Sequence, residues 1–199
     1  MTLHVLWPAV RWAENLHIET EALGPGVTPI FSLSVDKVTD EQWALADGIV
    51  GGPDLPDSII AKMPRCRIHV RAAVGYDTID VARWGGHGIP VCNTPDYGTM
   101  EVADHAIAMM LTLMKGVAYH DERLRAEPHA NWIPALSPYG KRLSGCTFGV
   151  VGLGRIGTAA ALRAKAFGMQ VVFFDPYKPN GYDLALGVLY QSRPLPRGR

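Results

Sequence analysis

The chain has 199 residues, room for one domain or two small ones at ~100–200 residues each. Its 19 Lys+Arg balance 19 Asp+Glu, so bulk charge gives no support to a nucleic-acid partner. A hydrophobic share of 48% against 19% charged, with 21 Gly and 15 Pro, excludes fibrous, disordered and polycationic classes. It points instead to a globular core with many tight connections.

The three cysteines, Cys66, Cys92 and Cys146, are too few and scattered for a disulfide framework, and no C-x-x-C occurs. They read as small buried hydrophobes in a reducing, cytoplasmic setting. Leu3–Val10, interrupted by His4 and Pro8, does not make a secretory signal. The apolar stretch Val102–Met114 carries Asp104 and His105 and falls short of the ~18 residues a membrane span needs.

Along the first half, short apolar runs alternate with capped, mixed-face segments. Strands are expected at Leu3–Trp7, Val27–Leu33, Gly48–Val50, Arg67–Val70 and Pro90–Cys92, and helices at Asn15–Leu23, Thr39–Ala46, Asp57–Met63 and Thr78–Gly85. Strands each followed by a helix imply parallel pairing through crossovers. Residues 1–98 therefore predict a flavodoxin-like, doubly wound α/β domain. After the break Asn93–Gly98, one long helix is expected over Met100–Ala126. Its apolar stripe would be Ala103, Ala106, Ile107, Met110, Leu111, Met114 and Val117. Pro128–Tyr139, with Pro134, Pro138 and Trp132, reads as a surface loop.

Residues 147–175 carry the most chemistry. Thr147–Val151 reads as a buried strand, then comes Gly152-Leu153-Gly154-Arg155-Ile156-Gly157, a helix over Thr158–Phe167 and a second strand, Gln170–Phe174, ending at Asp175. Gly152 would let the chain turn tightly. Gly154 would leave room for a pyrophosphate, and Gly157 would let helix and strand approach. The helix start offers free N–H groups to phosphates. Asp175, eighteen residues after Gly157, sits where a carboxylate accepts from ribose hydroxyls and repels a 2′-phosphate, favouring NAD over NADP. Arg155 could reach a phosphate oxygen. Earlier, Val74-Gly75 at the end of a strand could hold a small carboxylate on backbone N–H groups.

These residues resemble the NAD-dependent D-isomer-specific 2-hydroxyacid dehydrogenases. The matching pieces are Val74–Asp80, Gly88–Pro95, Glu101–Asp104, Gly152–Gly157 and Asp175-Pro176-Tyr177. Cys92-Asn93, Ala161–Gly168 and Asp175–Tyr177 look most like the branch containing the C-terminal-binding-protein corepressors. The resemblance spans about residues 45–188. It implies a substrate domain followed by a Rossmann NAD-binding domain, with a small 2-hydroxy or 2-oxo acid as substrate. By the same resemblance Val74 and Gly75 face substrate and nicotinamide, Val102 touches the cofactor, and Arg155, Ile156 and Asp175 hold pyrophosphate and ribose. Val74 stands where many members have a small polar residue, and Val102 where the corepressor branch has threonine.

The family's catalytic arginine, glutamate and histidine follow the adenosine half. None of the seven histidines here, His4, His17, His69, His87, His105, His120 and His129, does so. No catalytic and no metal-binding residue is assigned. The second domain, 99–199, is expected to be the first half of a Rossmann fold, cut short, with an irregular tail over 189–199. About 50 residues from Thr147 onward are few against the ~100 such a domain needs. The expected activity is hydride transfer between NAD(H) and a small 2-hydroxy or 2-oxo acid, lost in so short a chain. The alternative is an NAD-responsive, corepressor-like binding module without turnover. A homodimer through the NAD domain and the 100–126 helix is expected, with no nucleic-acid or membrane partner.

Overall fold

The computed structural model describes residues 2–10, 16–129, 138, 140–179 and 181–190. The chain divides into two compact units, Met1–Tyr97 and Gly98–Arg199.

The first unit is a five-stranded parallel sheet in the order β2-β1-β3-β4-β5, the flavodoxin-like winding. Its strands are β1 (Leu3–Trp7), β2 (Val27–Phe31), β3 (Gly48–Val50), β4 (His69–Arg71) and β5 (Val91–Asn93). Helices α1 (Leu16–Leu23), α2 (Asp40–Leu45), α3 (Asp57–Ile60) and α4 (Val81–Gly86) connect them. Helix α2 starts as its sequence dictates. Thr39 Oγ1 accepts from the Gln42 N–H, and the Gln42 side chain accepts from the Thr39 N–H, a reciprocal cap that satisfies two helix-end donors. Trp43 and Trp84 are fully buried with Leu6, Ile49, Leu55 and Ile60, and these form the core between sheet and helices.

Several expected boundaries move. β4 and β5 each begin and end later than expected: β5 starts after Pro90, which lacks the N–H a ladder residue would donate and only accepts, from the His69 N–H, and both strands run on to the register pair Arg71 and Asn93. Helix α3 stops at Ile60 rather than Met63, since the chain tightens into turns closed by Lys62 N–H to Ile59 O and Met63 N–H to Ile60 O. Helix α4 starts at Val81 rather than Thr78, because Asp80 caps it by accepting from the Arg83 N–H. Of the cysteines, Cys66 is buried but Cys92 is exposed and Cys146 intermediate. Burial as small hydrophobes therefore holds for one of the three.

In the second unit, the single helix expected over 100–126 is two: α5 (Thr99–Lys115) and α6 (Val117–Ala126). Gly116 between them has φ 63°, a left-handed conformation that ends a helix and that glycine adopts without Cβ strain. The stripe holds for Ala103, Ile107, Met110, Leu111 and Met114. Ala106 lies at its edge and is exposed, and Val117, past the break, is 54% exposed. Gly116→Ala should lower stability by about 1–2 kcal/mol, read from the denaturant midpoint; a change near zero would mean the two helices can fuse.

Strands β6 (Thr147–Val151), β7 (Gln170–Phe174) and β8 (Leu189–Tyr190) form a parallel sheet in the order β6-β7-β8. Helices α7 (Arg155–Ala166) and α8 (Tyr182–Leu186) complete the unit. The tail expected to be irregular from 189 begins instead with a strand, because Leu189 and Tyr190 pair in register with Val172 and Phe173. The rest of that tail, 191–199, lies outside the described residues, as does most of the expected Pro128–Tyr139 loop. Leu153, Ala161, Ala164, Val171 and Phe173 pack with Ile107 of α5 to form the core.

Candidate functional site

The turn between β6 and α7 gives each glycine of the motif a different cause. Gly152 has φ 88° and donates its N–H to Phe174 O at 2.9 Å, the last bond beside β7 before the chain turns off toward α7 in a conformation that disfavours any side chain. At Gly157 an added Cβ would drive into the carbonyl oxygen of Gly152 and meet Val150 Cγ1 at 3.2 Å. Helix and strand therefore touch at backbone distance. At Gly154 an added Cβ meets nothing within 4 Å. No protein atom demands glycine there, and the space in front of the helix end is open. Gly154 is also the N-cap, one turn earlier than the helix start expected at Thr158. Arg155, Ile156 and Gly157 thus form the first turn, where N–H groups lack helical acceptors.

Asp175 is buried. Its Oδ2 accepts the Leu153 N–H at 2.7 Å and its Oδ1 the Tyr177 N–H at 2.9 Å. The carboxylate thereby locks the glycine turn to the end of β7, and each oxygen keeps a further lone pair for a ligand hydroxyl. Thr158 Oγ1 donates to Leu153 O at 3.3 Å. The side chain of Leu153, fully buried, anchors the turn from below. Sequence reasoning passed over both residues, since they lie between the glycines or just beyond them and bear no chemistry. Arg155 and Ile156 are exposed on the first turn of α7. Val102 is 50% exposed near the start of α5. Two residues on, Asp104 pairs with Arg163 of α7 at 2.5 Å, so the two helices run side by side there.

In the first unit, Val74 and Gly75 form an exposed turn after β4. Asn93 Nδ2 donates to Val74 O at 2.8 Å, and Arg71 Nε to Gly75 O at 3.4 Å. Beside it lies a hollow of about 260 Å³ lined by Tyr76, Val81, Val91, Cys92 and Asn93. At the end of β3, Gly51 and Gly52 have φ 71° and 78°. His69 Nε2 donates to Gly51 O at 3.3 Å, and Arg71 Nη1 to Gly52 O at 2.8 Å. His69 is completely buried against the Trp84 ring, with Nδ1 lacking a partner among the described residues. Burial pushes its imidazole pKa down, only partly offset by the Gly51 carbonyl, so this is a neutral structural histidine.

A strand, a glycine turn whose middle glycine faces open space, a helix N-terminus and a buried acidic residue at the next strand's end make the arrangement that dinucleotide-binding α/β units share. The residues present fit a dinucleotide, because the space in front of Gly154 at the helix end is open and the buried Asp175 carboxylate stands at the end of the neighbouring strand. Residues 107–192 match the family model described as D-isomer specific 2-hydroxyacid dehydrogenase, NAD binding domain. That stretch is similar to this NAD-binding domain family.

A glyoxylate reductase of Pyrococcus furiosus is 37% identical over 149 residues, covering 71% of this chain and 42% of that protein. The D-lactate dehydrogenase of Aquifex aeolicus, solved with NAD and lactic acid, superposes with a TM-score of 0.75 at 28% identity, over 94% of this chain and 56% of the other. The NADPH-dependent glyoxylate/hydroxypyruvate reductase of Sinorhizobium meliloti, solved with citrate, gives 0.76 at 31% identity, over 96% and 57%. The chain spans about half the length of the curated relatives it matches. These relatives support the family and the α/β fold. They do not single out the corepressor branch to which the sequence was likened.

Proposed function

We propose that this chain takes part in NAD(H)-dependent oxidoreduction of a small 2-hydroxy or 2-oxo acid. It would supply the small-acid turn at Val74-Gly75 and the adenosine side of the NAD site. The observation that carries the reading is the buried Asp175 carboxylate, tied to the turn at Leu153 and placed at the end of β7. Gly152, Gly154, Arg155, Ile156 and Gly157 would hold the pyrophosphate at the start of α7 and Asp175 the ribose hydroxyls, and Val102 would touch the cofactor. When bound, NAD supplies the hydride chemistry. The protein's own groups bind and orient.

A fixed negative charge opposes a 2′-phosphate, so NADH should bind at least about tenfold more tightly than NADPH. Fluorescence titration of the full chain with both nucleotides tests this. Equal binding or a preference for NADPH, the cofactor named for the Sinorhizobium relative, would reverse the assignment. Assays with glyoxylate, hydroxypyruvate and pyruvate would then report which small acid, if any, is turned over.

A homodimer through the second unit is favoured by the exposed apolar residues Met109, Leu113 and Val117 and is checked by sedimentation velocity. The free cysteines suit a cytoplasmic setting. Among the described residues no helix is long and apolar enough to cross a membrane.

A further inference from the structure

Arg71 and Asn93 are register partners at the carboxyl ends of β4 and β5, and they grip consecutive carbonyls of one turn. Asn93 Nδ2 takes Val74 O at 2.8 Å and Arg71 Nε takes Gly75 O at 3.4 Å. The same guanidinium holds Gly52 O at 2.8 Å, so it also ties the turn to the end of β3. A planar trans peptide points the C=O of one residue opposite to the N–H of the next, and the described chain contains no cis peptide. Fixing the Val74 carbonyl therefore aims the Gly75 N–H away from Asn93. Fixing the Gly75 carbonyl aims the Tyr76 N–H away from Arg71. Neither N–H is used by a protein acceptor among the described residues, and the turn is exposed.

We infer that Arg71 and Asn93 are positioning residues, which hold the Gly75 and Tyr76 amides as a pair of donors for the carboxylate of a small 2-oxo acid. This rests on the reading of the Val74-Gly75 turn given above and assigns the residues that would make it work. Neither side chain needs to touch the ligand. Asp77 acts against them: its Oδ2 lies 3.7 Å from where a Cβ on Gly75 would sit, a negative charge beside an anion site.

The test is a titration of the ¹⁵N-labelled full chain with oxamate, following the Gly75 and Tyr76 amide signals and using the Trp84 indole N–H as a check of the fold. In the wild type both amides should shift saturably. Asn93→Asp removes the donor at nearly constant shape, and Arg71→Lys leaves one ammonium in place of a fork that serves two carbonyls. Each should weaken oxamate about tenfold or more with the Trp84 signal unmoved. Asp77→Asn should tighten it, a change that no loss of folding can imitate. If the wild type binds and both variants bind within about twofold of it, the positioning role is wrong and the turn's reading stands. If oxamate at tens of millimolar moves neither amide in the wild type, the reading of the turn fails and the pair's role with it.

Discussion

Gly157→Ala should destabilise the second unit by about 3 kcal/mol, the upper end of what overpacking costs, whereas Gly154→Ala should leave the fold within about 1 kcal/mol of wild type. The two residues sit three apart in one turn, yet the structure assigns them opposite sensitivities. A methyl at Gly157 meets a backbone carbonyl, that of Gly152, which cannot swing aside as a flexible side chain would. Relief requires α7 to move off β6, and Ala160, Ala161 and Ala164, all buried on that helix, would lose their packing. A methyl at Gly154 meets no protein atom, and the backbone there, φ −73° and ψ −162°, is one alanine adopts freely. The same methyl would stand in front of the helix N-terminus, so NADH affinity should fall about tenfold or more. Denaturant unfolding and NADH titration of the two variants separate the effects. A stable Gly154→Ala protein that binds NADH normally would remove the pyrophosphate from this turn.

Acid should weaken the first unit in two steps, at different pH and for different reasons. His69 is buried neutral, with its folded pKa depressed, so below the unfolded value of ~6.5 the unfolded chain binds a proton the folded one does not. Stability therefore begins to fall as pH drops through that value and continues to fall until the folded imidazole itself protonates. Asp47 behaves as a carboxylate should. Burial alone would raise its pKa, but the His4 N–H at 2.8 Å and the paired Arg65 guanidinium outweigh that and hold it below the usual range. Its contribution is present above ~3.9 and is lost as pH falls through the lower folded value.

Fluorescence of Trp43 and Trp84, both buried in this unit, should report the two steps. His69→Gln, which can still donate to Gly51 O but carries no titrating group, should abolish the first. Asp47→Asn should remove the second and lower stability at neutral pH by about 1–2 kcal/mol, a modest figure because Arg65 is 37% exposed. A His69→Gln protein with an unchanged acid profile would show that another group titrates in its place.

Some of this was legible in the residues and some was not. The strand–turn–helix–strand–Asp pattern at 147–175 and the parallel sheet of the first unit follow from periodicity and glycine placement, properties local to ten or twenty residues. The break at Gly116 was missed because one glycine inside a strong apolar stripe looks like a tolerated interruption. Only its left-handed backbone shows that two helices meet there. Leu189 and Tyr190 were missed because two residues carry no period of their own, and β7 recruits them.

The sequence by itself determined that a strand–glycine turn–helix–strand unit exists, with Gly152, Gly154 and Gly157 in its turn and Asp175 at the end of its second strand, since turn glycines and strand periodicity are legible at fixed spacing. Tertiary structure alone decided which glycine serves packing and which leaves space. It also brought Asp175 onto the Leu153 N–H, and Arg71 and Asn93 onto neighbouring carbonyls of one turn. Those outcomes depend on strands far apart in the chain lying side by side. Long-range register is set by the summed burial of the whole sheet, which no short stretch of residues contains.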